Sequence, residues 1–225
     1  MKTKNIKTKG SEGFGPEYWG TNYADPDDMD GIGNAVHHAG YLKQLFDLEL
    51  VDISTVADFG FGLGHLFEAV LKEFVPYRAL GLEPSKTAFD LVSKRGIKPV
   101  DSTKLVLKQM DLATWAREQT PKTRWYDLGL CTSVFQYLTE EELNLVVPVL
   151  ASKVKYLYMS VPTDKELQRQ RTEMEFNDLY AYRRSRSFYL KLLKPHFTII
   201  SSRLLESRVF FDEDKSFFTD YLYRF

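Results

Sequence analysis

Between residues 51 and 163, short apolar runs alternate with longer segments whose apolar residues recur every three or four positions. The runs begin at Val56, Tyr77, Leu105, Trp125 and Val154, and each ends in residues that favour turns or helix caps. Strand-length runs alternating with helical periods predict a largely parallel sheet covered by helices on both faces. A helix is expected over Asn34–Leu48, with Val36, Leu42, Leu45 and Phe46 on its buried face. Ser85 suits the N-cap of a helix through about Lys94, and Asp111 that of a helix over Leu112–Glu118. Thr139 followed by Glu142 is a capping-box pattern. A charged helical region runs from Asp164 to about Lys194, where Pro195 stops it. Two late β segments are expected at Phe197–Leu205 and Phe217–Phe225, while residues 10–33 are irregular, aromatic and acidic.

Chemistry first enters where the first strand ends. Val56-Ala57-Asp58-Phe59 runs into Gly60, Gly62 and Gly64, just before an amphipathic helix. Glycine tolerates positive φ and has no Cβ, so such a turn lets backbone approach a nucleotide-like ligand closely. The following helix points its partly positive N-terminus at the same space. The dinucleotide fingerprint G-x-G-x-x-G fails in both registers, because His65 or Phe67 stands where its third glycine belongs. What stands here is D-x-G-x-G-x-G. An acidic residue at that point is unwelcome beside a pyrophosphate and suits a cationic ligand. A second carboxylate, Glu83, ends the next strand 21 residues past Gly62. That is close to the spacing at which Rossmann-type folds place an acid on ribose hydroxyls.

These segments resemble motifs I to IV of the class I S-adenosylmethionine-dependent methyltransferases, over about residues 51–163. The resemblance implies a single Rossmann-like, doubly wound α/β domain with a mostly parallel seven-stranded sheet, closed by a C-terminal antiparallel hairpin from the two late β segments. It divides the chain into a flexible basic tail (1–12), a cap (13–50), a cofactor-binding core (51–163), a helical acceptor-side region (164–194) and the closing hairpin (195–225). It also implies S-adenosylmethionine (SAM) as cofactor and S-adenosylhomocysteine (SAH) as product. Asp58, Phe59, Gly60, Gly62 and Gly64 would hold the cofactor from motif I, with Glu83 on the ribose and Pro84 beside it. Asp111 and Leu112 would serve the adenine, and Cys131 and Ser133 would face the methyl donor after the fourth strand. Tyr18, Trp19 and Tyr23 either wall the cationic sulfonium, as aromatic faces do for cations, or form a lid packed on the core. Of these, Tyr23 is taken as a cofactor contact.

Composition sets the frame. The 225 residues suffice for one domain burying roughly 70–75% of its unfolded surface. A net charge of −1 gives no general attraction to nucleic acid or anionic membrane. Cys131 is the only cysteine, so no intrachain disulfide can form, and no apolar run approaches the roughly 18 residues of a membrane span. A cytoplasmic protein is expected.

Methyl transfer from a sulfonium demands alignment and exclusion of water, with a general base only for some acceptors. Candidate catalytic groups are His37 and His38, on the helix before motif I, and Tyr137, just after the fourth strand. The metal-dependent relatives carry carboxylates where this chain reads Cys131-Thr132-Ser133, so metal-independent transfer is expected. The acidic run from Asp25 to Gly31 fails as a calcium loop, because Met29 and Val36 occupy ligand positions. Base-methylating amino-transfer enzymes carry D/N-P-P-Y/F after the fourth strand, which is absent here. Arg183, Arg184 and Arg186 either bind a phosphate or form a solvated helix face. The acceptor is expected to be a small molecule, with a protein side chain as the secondary possibility. A catalytically inactive module that keeps the fold and binds SAM is the alternative.

Overall fold

The computed structural model describes residues 14–15, 18–19, 31–99, 102–174, 176 and 178–211. Among these residues seven strands form one sheet: β1 (Thr55–Phe59), β2 (Arg78–Leu82), β3 (Lys104–Lys108), β4 (Tyr126–Thr132), β5 (Val154–Ser160), β6 (Phe197–Ile199) and β7 (Leu204–Ser207). Their order is β3-β2-β1-β4-β5-β7-β6. All neighbouring pairs are parallel except β5–β7 and β6–β7. Chain order reverses between β1 and β4, the switch point at which doubly wound folds leave a crevice beyond the strand ends.

Side chains alternate between the two faces of each strand, and the core divides accordingly. Val56, Leu128, Leu130, Tyr156 and Tyr158 face helices α1 (Ala35–Leu48), α2 (His65–Phe74) and α3 (Lys86–Arg95). Ala57, Phe59, Cys131, Leu157 and Met159 face α4 (Leu112–Glu118), α5 (Glu140–Lys153) and α7 (Arg186–Leu193). Every residue of β1 is buried, as expected for a strand covered on both sides. A further helix, α6, spans Asp164–Glu173. No helix among the described residues is long and apolar enough to cross a membrane.

The caps fall where the residue types place them. Ser85 accepts from Ala88 N–H, Asp111 from Thr114 N–H, and Thr139 and Glu142 complete a reciprocal capping box.

Three expectations are corrected. Val36 is 67% exposed, and the buried stripe of α1 is Ala35, Ala39, Leu42 and Phe46. Two alanines carry half of that stripe, so a reading weighted to large apolar residues misplaces it. The region 164–194 is not one helical stretch: α6 ends at Glu173, and α7 starts only at Arg186, capped by Ser185. Between them Asp178 accepts the amides of Tyr180 and Ala181, and Tyr182 N–H is given to Gln136 C=O (2.7 Å). Those bonds divert backbone donors from a helical ladder. Finally, the expected C-terminal antiparallel hairpin forms, but between β6 and β7 across Phe197–Ser207, turning at Ser201–Arg203, rather than between the two late segments. The segment Phe217–Phe225 and the basic tail 1–12 lie outside the described residues.

Candidate active site

A cavity of about 460 Å³ lies over the β1/β4 switch point, within the usual size of small-molecule clefts. Its floor begins at the glycine turn. Gly60 adopts φ +111°, and a Cβ there would stand 2.6 Å from Val134 Cγ2 on the loop after β4. The close approach of those two loops therefore needs glycine. Gly60 and Phe61 N–H both donate to Leu82 C=O, and Gly62 N–H donates to Glu83 Oε2 at 2.8 Å. Glu83 Oε1 accepts Ser85 N–H at 2.8 Å. The carboxylate thus links the glycine turn to the start of α3 and still has a second lone pair on each oxygen. Burial pushes Glu83 up to about 7, and its two amide bonds only partly offset this.

The cavity wall contains Phe59, Gly60, Gly62, Glu83, Pro84, Asp111, Leu112, Ser133 and Tyr137. Asp111 does two jobs: it caps α4 through Thr114, and it also faces the cavity. Thr114 and Arg117, three and six residues on, share that face of the helix and line the cavity too. That spacing was available in the sequence as a signal. Thr132, Val134 and Met110 were also missed; they flank residues that had been identified.

Several expected site residues stand elsewhere. Asp58 is 3% exposed and does not line the cavity, because strand alternation turns it to the face opposite Phe59. It finds no hydrogen-bond donor among the described residues. Burial, then the charge of Glu83, raises its carboxyl well above the ordinary range. Gly64 is off the wall: a Cβ there would meet Arg95, Ile97 and Val92, so its role is to let α2 start against α3. Cys131 is fully buried in the core cluster that also holds Phe59 and Phe135, and burial, then Asp58, push its thiol up. His37 is exposed on α1, and His38 bonds Tyr158 Oη on the α1 face of the sheet. Neither histidine reaches the cavity, because α1 packs through the stripe beginning at Ala35. Tyr23 lies outside the described residues. Arg184 is engaged internally, donating to Phe135 and Leu138 C=O and stacking on Tyr182 and Phe188.

The roof is aromatic. Trp19 lies over Gly62, 3.6 Å from where a Cβ would stand. Its Nε1 donates to Ser85 Oγ (2.9 Å) and Phe14 C=O (3.1 Å). Phe14 meets Tyr18 and Tyr137 edge-on, with centroids 4.9 and 4.8 Å apart. Tyr18 and Tyr137 hydroxyls lie 3.3 Å apart, and Tyr137 Oη donates to Asp178 Oδ2 at 2.7 Å.

Solved methyltransferase structures share this fold. The plantazolicin methyltransferase BpumL, in complex with SAH, matches 80% of this chain and 69% of its own, at 14% identity and TM-score 0.61. Magnesium protoporphyrin IX methyltransferase (ChlM) from Synechocystis PCC 6803, with bound SAH, matches 85% of this chain and 96% of its own, at 17% identity and TM-score 0.55. The chain has the class I methyltransferase fold. It spans half the length of Streptomyces venezuelae DesVI, a looser match at TM-score 0.44. No family model matches the sequence, and neither does any curated protein. In this methyltransferase fold the glycine turn, Glu83 and Asp111 arrive at one cavity from three successive strand ends.

Proposed function

We propose that this chain is a SAM-dependent methyltransferase acting on a small-molecule acceptor without a metal ion. The observation that carries the reading is Glu83, a buried carboxylate in the cavity wall bonded to the amide of Gly62 in the glycine turn. A ribose diol offers two donors, and each Glu83 oxygen retains a lone pair after accepting its amide. The residues present therefore fit the cofactor. Glu83 would hold the ribose, Asp111 the adenine amino group, and Phe59, Gly60 and Ser133 the floor beneath them. When bound, SAM supplies a methyl group already activated on a sulfonium.

The chain's own contribution is alignment, exclusion of water and charge. Phe14, Tyr18 and Trp19 close one side of the cavity and limit solvent access. Asp58 and Glu83 place two carboxyls in a low-dielectric region, each pushed upward by burial. A cationic ligand draws both back toward their ionised forms and is favoured over an anionic one. Thr132 and Ser133, rather than carboxylates, stand at the end of β4, which supports transfer without a metal. The sole cysteine, buried at Cys131, fits a cytoplasmic protein.

Calorimetric titration with SAM, SAH and NAD tests the cofactor class. Micromolar binding of SAM and SAH is expected, followed by transfer of labelled methyl to members of an acceptor panel. A folded protein that binds neither, or that prefers NAD, would sink the proposal. Binding without transfer to any acceptor would favour the inactive module.

A further inference from the structure

Behind the cavity wall at Tyr137 a hydrogen-bond chain runs in one direction. Tyr137 gives its only proton to Asp178 Oδ2 at 2.7 Å. Asp178 Oδ1 is occupied by the amides of Tyr180 and Ala181, at 3.0 and 3.2 Å. The 3.3 Å contact between Tyr18 and Tyr137 hydroxyls must therefore be donated by Tyr18. That leaves Tyr137 Oη with one further lone pair and no proton to offer. Burial, then Tyr18 and Asp178, hold the Tyr137 phenol well above its usual range, so the proton stays in place. Tyr137 lines the cavity just past the end of β4, whereas Asp178 does not line it.

We infer that Asp178 is a positioning residue that fixes Tyr137 with a lone pair toward the cavity, so that the site takes a methyl acceptor carrying an O–H or N–H at that point. This rests on the methyltransferase reading and narrows its acceptor to protic nucleophiles: alcohols, phenols and amines. An ether or a tertiary amine without a proton meets Tyr137 lone pair against lone pair. The polarity of the chain comes from Asp178. In Asp178→Asn the side-chain oxygen stays on the two amides and the NH₂ turns to Tyr137. Tyr137 then accepts from Asn as well as from Tyr18, which fills both its lone pairs and leaves its own proton to face the cavity.

Phenol and anisole form a matched pair of probes, alike in shape and differing in the donor proton. Their affinities for the protein–SAH complex are measured by ligand-observed NMR at millimolar concentration. Wild type is expected to bind phenol about fivefold more tightly than anisole, the scale of one neutral hydrogen bond. D178N is expected to lose or invert that ratio while SAH affinity stays within about twofold. Tyr137→Phe, which removes the oxygen and keeps the ring, is expected to bring the ratio near one. Equal binding by wild type, no binding of either probe, or a ratio that survives in D178N would overturn the inference. The SAH titration on the same samples separates the two claims. SAH binding without phenol preference overturns the role of Asp178 alone, whereas failure to bind SAH overturns the methyltransferase reading.

Discussion

Glu83→Gln isolates the carboxylate at the centre of the proposed cofactor site. Both Glu83 oxygens accept a main-chain N–H at 2.8 Å. A carboxamide has one oxygen, so its NH₂ must face Gly62 N–H or Ser85 N–H, donor against donor. An unsatisfied buried donor costs about 1–3 kcal/mol. Against that stands relief from burying a charge that resists ionisation up to about pH 7. The two effects oppose, so the free variant is expected to melt within about 6 °C of wild type. Ligand binding has no such offset. Losing one of two charge-assisted bonds to a ribose diol costs about 1.5–3 kcal/mol, or roughly 10- to 150-fold in SAH affinity. The pH dependence follows with a definite sign. The bound state needs Glu83 ionised, so wild-type affinity falls as pH drops below about 7, approaching tenfold per unit, and binding releases a proton. In the free protein the same raised value works the other way. Its stabilising contribution is complete below 4.5, the unfolded value, and is lost as pH rises to about 7. Calorimetry with SAH at pH 6, 7 and 8, in buffers of different ionisation enthalpy, reads all of this. A variant binding within threefold of wild type, or wild-type affinity that is flat with pH, would refute the reasoning.

Other perturbations give simpler outcomes. Gly62→Val puts methyls beyond a Cβ that already stands 3.6 Å from Trp19, on backbone at φ +54°; SAH binding should vanish, while circular dichroism shows a fold weakened by about 1–2 kcal/mol. Asp127→Ala strands the amides of Ser54 and Thr55, the Thr55 hydroxyl and the Lys155 ammonium, and denaturant unfolding should show a loss of about 3–5 kcal/mol. Leu42→Ala should cost about 2–5 kcal/mol, whereas Val36→Lys, on the exposed side of the same helix, should stay within about 0.5 kcal/mol; equal effects would mean that the stripe of α1 is misassigned.

Much of this architecture was legible because local signals and the fold agree. The caps at Ser85, Asp111 and Thr139 depend on side chains within three residues of their targets, and the structure forms all three. The carboxylate after β2 could be read from spacing, because one helix, α2, and one strand, β2, set its separation from Gly62. What sequence could not give was the side of the sheet. Asp58 and Phe59 are adjacent, yet only Phe59 reaches the cavity, since the pleat sends consecutive side chains to opposite faces. Gly64 and Cys131 failed likewise, one packed against α3 and the other sealed in the core. The histidine pair was attractive on chemistry, but its place is set by which side of α1 meets the sheet. Asp178 escaped notice because its bond to Tyr137 spans 41 residues and a non-helical segment hidden inside a helix-like composition.

The pairing of β1 with β4 also sets a timetable for the growing chain. Asp127 on β4 fixes Thr55 on β1, 72 residues earlier. At about 5–20 residues per second, synthesis takes roughly 4–14 s to supply that partner. Until then β1 is an exposed sheet edge, uncovered on faces that are fully buried in the finished fold, with only β2 beside it. Such an edge is a template for pairing with another nascent chain. A product truncated before Tyr126 would keep that edge permanently, so the first half of this protein is expected to aggregate where the full chain folds.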